Sequence, residues 1–232
     1  QPVRRIGTYK QAAHSIAMYP VLRDDHVLML SVESRLELAW LQQLDFDARV
    51  TALYAQPFAL VWQHEAGTLV RIPDLAAVIE GRLVVCEVKP AHRLADEWTR
   101  MSLDFTAHTL TRSGIPFRVC KDLGAQRRHN LLILARYRWP NPFVARDVAA
   151  VRSARPTTVG GAIDVVGRLR GTPGSSPEWT GCRFEWSSTI VAIEVAKHLI
   201  ATGACWADLD EPLSVGTNLE WVDSAWRIEW VA

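Results

Sequence analysis

The sequence predicts an α/β fold in which a mixed sheet is flanked by helices and followed by a smaller C-terminal portion. Three observations carry that expectation. Short β-rich runs alternate with helix-period segments over the first 145 residues. A two-residue link, Glu80-Gly81, joins two apolar runs at hairpin spacing. After Trp139-Pro140-Asn141-Pro142 the pattern changes to helices and one short terminal hairpin.

Taken in order, residues 1–32 read as an irregular arm with one strand at 26–30. Residues 33–44 follow a helical period, with Leu36, Trp40, Leu41 and Leu44 on one face, and Asp45-Phe46-Asp47 ends that helix. Strands are expected at 50–54 and 58–63, separated by Gln56-Pro57. Pro73 precedes a strand at 74–79, whose hairpin partner at 83–88 is stopped by Pro90. A long amphipathic helix follows at 94–110, then a strand at 117–120 and a helix that includes 130–135.

Beyond Pro142, Thr157 or Thr158 can cap a short helix reaching Val166, and 171–181 is a Gly/Pro/Ser loop. Ser187 or Ser188 caps an apolar-faced helix to Ala201, which Gly203 ends. Runs at 219–221 and 226–231 suggest a hairpin around Asp223-Ser224. Helices followed by a hairpin outline a winged-helix-like module, so the expected domains are 1–145 and 146–232. Six of the ten tryptophans fall in the second, mostly as core or cross-strand packing.

With 232 residues, 49% hydrophobic and 22% charged, the composition is that of an ordinary globular protein with a substantial core. No apolar run approaches the roughly 20 residues of a membrane-spanning helix, so no membrane association is expected. The first five residues lack the apolar stretch of a secretory signal, and Gln1 suggests a trimmed terminus. Four scattered cysteines, with no C-x-x-C pair, read as reduced buried thiols of a cytosolic protein. Net charge is +1, but its distribution is uneven: residues 111–155 carry ten Lys/Arg against two acids, and residues 203–232 one Arg against six. A basic middle suits phosphates and an acidic tail repels them. Within it Arg127 and Arg128 are expected near the active-site cleft, contacting DNA phosphates.

The chemistry concentrates in Pro73-Asp74 and Glu87-Val88-Lys89. Alternation along a strand places Glu87 and Lys89 on one face, and a hairpin partner beginning at Asp74 brings its carboxylate beside Glu87. Two carboxylates and a lysine at one sheet edge suit phosphodiester hydrolysis. Hard oxygen ligands hold Mg²⁺, with Mn²⁺ as a substitute, and a metal-bound water becomes a nucleophile. Lys89 can orient that water, or take its proton if its own pKa is depressed. The upstream helix offers Glu33 and Glu37, four residues apart on one face. Glu37 is the better candidate because it lies deeper in the apolar period, with Glu33 free to cap the helix. The bland alternative is a surface hairpin with a cross-strand salt bridge.

Pro-Asp followed by Glu-x-Lys resembles the signature of the PD-(D/E)XK superfamily, which has the restriction-endonuclease-like fold. The order Glu33-Ser34-Arg35-Leu36-Glu37, Leu44-Asp45-Phe46-Asp47, Gln56-Pro57, Pro73-Asp74 and Glu87-Val88-Lys89 is similar to that of the TnsA family, endonuclease subunits of heteromeric transposases. His198-Leu199-Ile200, Gly203, Asp208-Leu209-Asp210-Glu211-Pro212-Leu213 and Thr217 extend the resemblance to the C-terminal part. It implies that Glu37, Asp74 and Glu87 bind Mg²⁺ and that Lys89 completes a site cutting the 5′ ends of a transposon. It also implies a bacterial cytoplasmic protein, a DDE transposase partner that acts on the 3′ ends, and an AAA+ regulator at the C-terminal domain. Two other functions use the same residues differently: a standalone restriction-like or repair nuclease, and a binding module whose nuclease fold no longer cuts.

Overall fold

A two-residue turn sets the central sheet. Glu80 and Gly81 have φ of 50° and 78°, the paired left-handed conformation of a type I′ hairpin. It joins β6 (Leu75–Ile79) to β7 (Arg82–Val88), with Ile79 opposite Arg82 and Leu75 opposite Cys86. In the computed structural model, which describes residues 17–23, 26–65, 67–141, 144–171 and 187–222, this hairpin is the middle of a four-stranded mixed sheet. Its other strands are β3 (Val50–Ala55), antiparallel to β6, and β8 (Phe117–Cys120), parallel to β7. A parallel neighbour requires a crossover, which α2 (Glu97–Arg112) supplies after a 3-10 turn at Ala91–Ala95. Asp96 caps α2 by accepting from Thr99 N at 2.8 Å. Ala76, Val85 and Leu110 are buried between sheet and helix, with Phe58, Leu60, Leu83, Ile115 and Phe117 packed around them.

Two hairpins depart from the sequence expectation. The expected arm at 17–32 contains β1 (Ala17–Arg23) antiparallel to β2 (His26–Val32). Pro20 obscured β1, yet proline is tolerated in a strand that lacks a neighbour on one side. A second hairpin pairs β4 (Leu60–His64) with β5 (Gly67–Arg71); β5 was not anticipated.

Helix α1 (Arg35–Asp45) ends on an acid that does more than stop it. Asp45 is 1% exposed, accepts the Tyr19 hydroxyl at 2.9 Å and pairs with Arg23 Nη1 at 2.5 Å, which ties β1 to α1. Replacing it with alanine strands a largely buried guanidinium. Asp45→Ala is therefore expected to cost about 3 kcal/mol in urea unfolding; a loss within about 0.5 kcal/mol, the range of ordinary surface substitutions, would show that the pair holds nothing.

The chain divides into two compact units, residues 1–45 with 49–123, and residues 46–48 with 124–232. The expected domains at 1–145 and 146–232 differ from this division by α3 (Ala125–Ala135) and the 3-10 turn Arg136–Arg138. The second unit contains α3, α4 (Ala145–Ala154), α5 (Val159–Arg170) and α6 (Ser188–Ala201). Thr158 and Ser187 cap α5 and α6 as expected. Gly203 ends α6 at φ 73°, and a Cβ there would come within 3.1 Å of Phe46 O and Ala48 Cβ. Helix α4 was not anticipated, although Val144, Val148 and Val151 recur at helical spacing; it buries Val151 and Asp147, and Arg170 grips Asp147 with bonds of 3.0 and 2.7 Å.

The expected terminal hairpin lies only partly within the described residues. Its first strand, β10 (Glu220–Trp221), pairs with β9 (Cys205–Trp206), and residues 226–231 lie outside the described residues. Cys86, Cys120 and Cys205 are buried free thiols, and Cys182 also lies outside the described residues. Among the described residues, no helix is long and apolar enough to cross a membrane.

Candidate active site

The register that pairs Leu75 with Cys86 leads, one step further, to Asp74 and Glu87 at the mouth of the β6–β7 hairpin. Asp74 is fixed from both sides. Its carbonyl accepts Gln56 N at 2.9 Å, and its Oδ2 accepts Val88 N at 2.8 Å. Glu87 and Lys89 are two residues apart and share a strand face, so the lysine turns back onto both acids. Lys89 Nζ lies 2.7 Å from Glu87 Oε1 and 3.3 Å from Asp74 Oδ2, and its backbone N–H joins the β8 ladder through Cys120 O. The predicted trio is thus assembled.

Arg71 is a member that the sequence did not reveal. From the end of β5, its Nη2 donates to Glu87 Oε1 at 2.8 Å and its Nη1 to Ser102 Oγ on α2. Trp62 meets Phe105 with ring centroids 4.5 Å apart, a second tie between this hairpin and α2. The only sequence signal was a cation two residues before Pro73-Asp74, on a segment not recognised as a strand.

Glu37 takes the capping part that was expected of Glu33. Glu37 closes a capping box with Ser34: its backbone N–H donates to Ser34 Oγ at 3.0 Å, and its Oε1 accepts the Ser34 hydroxyl at 2.9 Å. Its Oε2 accepts Glu33 N at 2.8 Å. Glu33, expected as the cap, instead receives Gln56 Nε2 on Oε1 at 2.9 Å. Glu37 nevertheless remains within the electrostatic reach of Asp74. Ser34→Ala is expected to cost about 1 kcal/mol in thermal unfolding, a normal cap loss. An unchanged melting temperature would mean that Glu37 does not depend on Ser34.

The electrostatics are those of crowded carboxylates. Burial, and then the Asp74 charge, raise the Glu37 carboxyl above its ordinary 4.5. Burial and Asp74 likewise raise Glu87, and Lys89 and Arg71 offset only part of the rise. Burial pulls the Lys89 ammonium down, but Asp74 and Glu87 outweigh it and hold the group above its ordinary 10.5. The two acids thus favour the charged form of Lys89, which sets a positive charge beside them.

Whether these residues suit a divalent cation is decided by Glu87. Its carboxylate is 3% exposed, and while Oε1 takes two cations, Oε2 is buried with no hydrogen-bond partner. A buried charged oxygen without a partner is costly. Among the described residues, no three His, Cys, Asp or Glu side chains form a ready cage. Mg²⁺ commonly needs only one or two protein carboxylates and keeps its waters. The donor set fits.

The other predicted contacts lie in the second unit. Arg127, on the first turn of α3, holds Asp210 through two bonds of 2.9 and 2.6 Å, so its guanidinium is committed to a carboxylate. Asn130 Nδ2 donates to the carbonyls of Leu209 and Glu211. The Asp208-Leu209-Asp210-Glu211 segment is thereby clasped onto α3, and its acidity offsets part of the basic middle. Arg128 is exposed. His198 Nδ1 contacts Tyr137 O at 2.8 Å, a tie within the same unit. No family model matches this chain, and no curated protein matches it in sequence.

Proposed function

We propose that the chain is a divalent-metal-dependent DNA endonuclease of the PD-(D/E)XK type, with Asp74, Glu87 and Lys89 at its centre. The observation that carries this reading is Glu87, an almost fully buried carboxylate crowded by a second one, with one oxygen lacking a partner. Asp74 and Glu87 would hold Mg²⁺ or Mn²⁺, with Glu37 behind them. When bound, the cation supplies a water of lowered pKa and charge stabilisation for the phosphoryl oxygens. Lys89 holds a positive charge beside the carboxylates, where it orients a nucleophilic water and draws in a phosphodiester. Val88 N and Gln56 N fix Asp74 so that little reorganisation is needed.

In the finer form of this proposal the protein is TnsA-like, with a restriction-endonuclease-like nuclease domain and a winged-helix-like C-terminal domain. It would cut the 5′ ends of a transposon beside a DDE transposase under an AAA+ regulator in a bacterial cytoplasm. Arg128 is then the better phosphate contact of the arginine pair. The test is nicking of end-containing DNA with Mg²⁺ or Mn²⁺, with the partner transposase present and absent. Nicking that survives Asp74→Ala unchanged in the complete reaction would sink the catalytic claim. Cleavage of unrelated DNA by the chain alone would replace the transposon setting with a standalone nuclease.

A second reading, a binding module of the same fold that does not cut, is favoured by one observation. Both Glu37 oxygens are occupied at the N-terminus of α1. Absence of Mn²⁺ binding at millimolar concentration would select it.

A further inference from the structure

Two cations crowd the same oxygen of Glu87. Lys89 Nζ and Arg71 Nη2 both meet Oε1, at 2.7 and 2.8 Å, while Oε2 is buried and bare. An arginine acting only as a strut would make the two-toothed pair that its planar fork favours. Arg71 makes one bond to the carboxylate and one to Ser102 Oγ, and its Nε is buried with no acceptor. The site therefore contains an unsatisfied acceptor and an unsatisfied donor. The acceptor calls for a cation and the donor for an anion, and both atoms sit on side chains already joined to each other. A divalent cation accompanied by a phosphate oxygen supplies both at once.

We propose that Arg71 is a phosphate-binding residue of this site, bonded to Glu87 in the free protein and to a phosphodiester oxygen once a divalent cation takes the Glu87 carboxylate. The proposal rests on the phosphodiester-cleaving reading above and adds the residue that couples metal to substrate. Its location is favourable. Arg71 ends β5, and the Trp62–Phe105 contact and the Ser102 bond hold that hairpin on α2. The guanidinium is thus pre-positioned, and changing partner requires only a change in which donors are used. Arginine suits this task better than lysine because it keeps Ser102 on one nitrogen while offering others to the phosphate.

By linkage, if DNA draws Arg71 away from Glu87, DNA tightens metal binding and metal tightens DNA binding equally. The experiment titrates Mn²⁺ by electron paramagnetic resonance, with and without a phosphorothioate duplex that resists cleavage. It compares wild type, Arg71→Gln and Arg71→Lys, with circular dichroism and thermal melts to establish folding. Wild type is expected to bind Mn²⁺ roughly tenfold tighter with the duplex than without it. Arg71→Gln is expected to bind Mn²⁺ alone about threefold tighter than wild type, because a competing cation has gone, and to lose most of the duplex effect. In turnover assays it should lose about a hundredfold in kcat. Arg71→Lys should keep the wild-type affinity for Mn²⁺ alone and recover only part of the coupling.

An Arg71→Gln protein whose duplex effect equals that of wild type overturns the proposal and leaves the nuclease reading intact. So does one that binds Mn²⁺ more weakly without DNA, since Arg71 would then be a strut holding Glu87 in place. If Arg71→Gln does not fold, full coupling in Arg71→Lys also overturns it. A wild-type protein that binds no Mn²⁺ removes both readings.

Discussion

Glu87→Gln should lower metal-dependent cleavage by at least about 10³-fold, since it removes a metal-holding charge at the reacting centre, while leaving the metal-free protein as stable as wild type or more so. The second half is the more discriminating. Burial and the Asp74 charge raise the Glu87 carboxyl above 4.5, and Lys89 and Arg71 fall short of cancelling them. A carboxyl whose folded pKa is raised favours the folded state in its protonated form. That contribution is fully present below 4.5 and is lost as pH rises through the raised value. Above that raised value the ionised carboxylate is disfavoured in the fold, and glutamine removes its charge with the same shape. Thermal melts of both proteins at pH 5 and pH 7, with and without Mg²⁺, test the argument. The wild-type protein should gain stability from Mg²⁺ at pH 7 by mass action, and the glutamine variant should gain much less. If Glu87→Gln instead melts several degrees lower without metal, Glu87 is a structural counter-ion to Lys89 and Arg71.

The sequence foretold the parts of this site that local geometry determines. Asp74 and Glu87 meet because the positive-φ pair Glu80 and Gly81 fixes a two-residue turn, and a fixed turn fixes the register of every pair behind it. Glu87 and Lys89 share a face because strands alternate. Arg71 follows from neither rule. It reaches Glu87 across 16 residues and Ser102 across 31, by way of a hairpin with exposed Leu69 and Val70 that reads as a linker. The choice between Glu33 and Glu37 also fell outside apolar periodicity. Ser34-x-x-Glu37 is a capping box by its spacing, a signal that could have been used, and it gives Glu37 a capping part that the helical period did not suggest.

The second unit shows the same division. Caps and breakers were legible, since Thr158, Ser187 and Gly203 act through their immediate neighbours. The partner of β10 was not, because a two-residue strand carries almost no pattern, and Cys205–Trp206 has no alternation to reveal it. The charge asymmetry was read correctly as a distribution but not as an interaction. Arg127 and Asp210 belong to the basic and acidic blocks respectively, and they bond each other across 83 residues. A charge run states what is available, and folding decides whether solvent, phosphate or another part of the chain receives it.

Lys89→Met should also stop cleavage, with the opposite effect on stability. Methionine keeps the apolar stem and removes the charge that faces Asp74 and Glu87 at 3.3 and 2.7 Å. Among the described residues, Arg71 is then the cation left in direct contact with the two crowded carboxylates. The expected loss in the metal-free protein is about 2 kcal/mol, below that of a fully enclosed pair because the Lys89 side chain is 26% exposed. Although burial pulls it down, the ammonium is held above 10.5 by the two acids. Its contribution is therefore complete below 10.5 and is lost only as pH rises through the raised value, so the penalty should hold level up to 10.5 wherever the carboxylates are ionised. Because Glu37 and Glu87 are themselves raised, the penalty should shrink as pH falls through their raised values towards 4.5, where protonation relieves the same repulsion. Mg²⁺ at neutral pH should restore much of the lost stability without restoring turnover, since the cation replaces the missing charge but not its place beside the water. A Lys89→Met protein that is fully stable and indifferent to Mg²⁺ would mean that Asp74 and Glu87 do not act on each other. A Glu87→Gln protein stabilised and a Lys89→Met protein destabilised, both inactive, would instead identify a fold that maintains electrostatic strain at one sheet edge for a divalent cation to relieve.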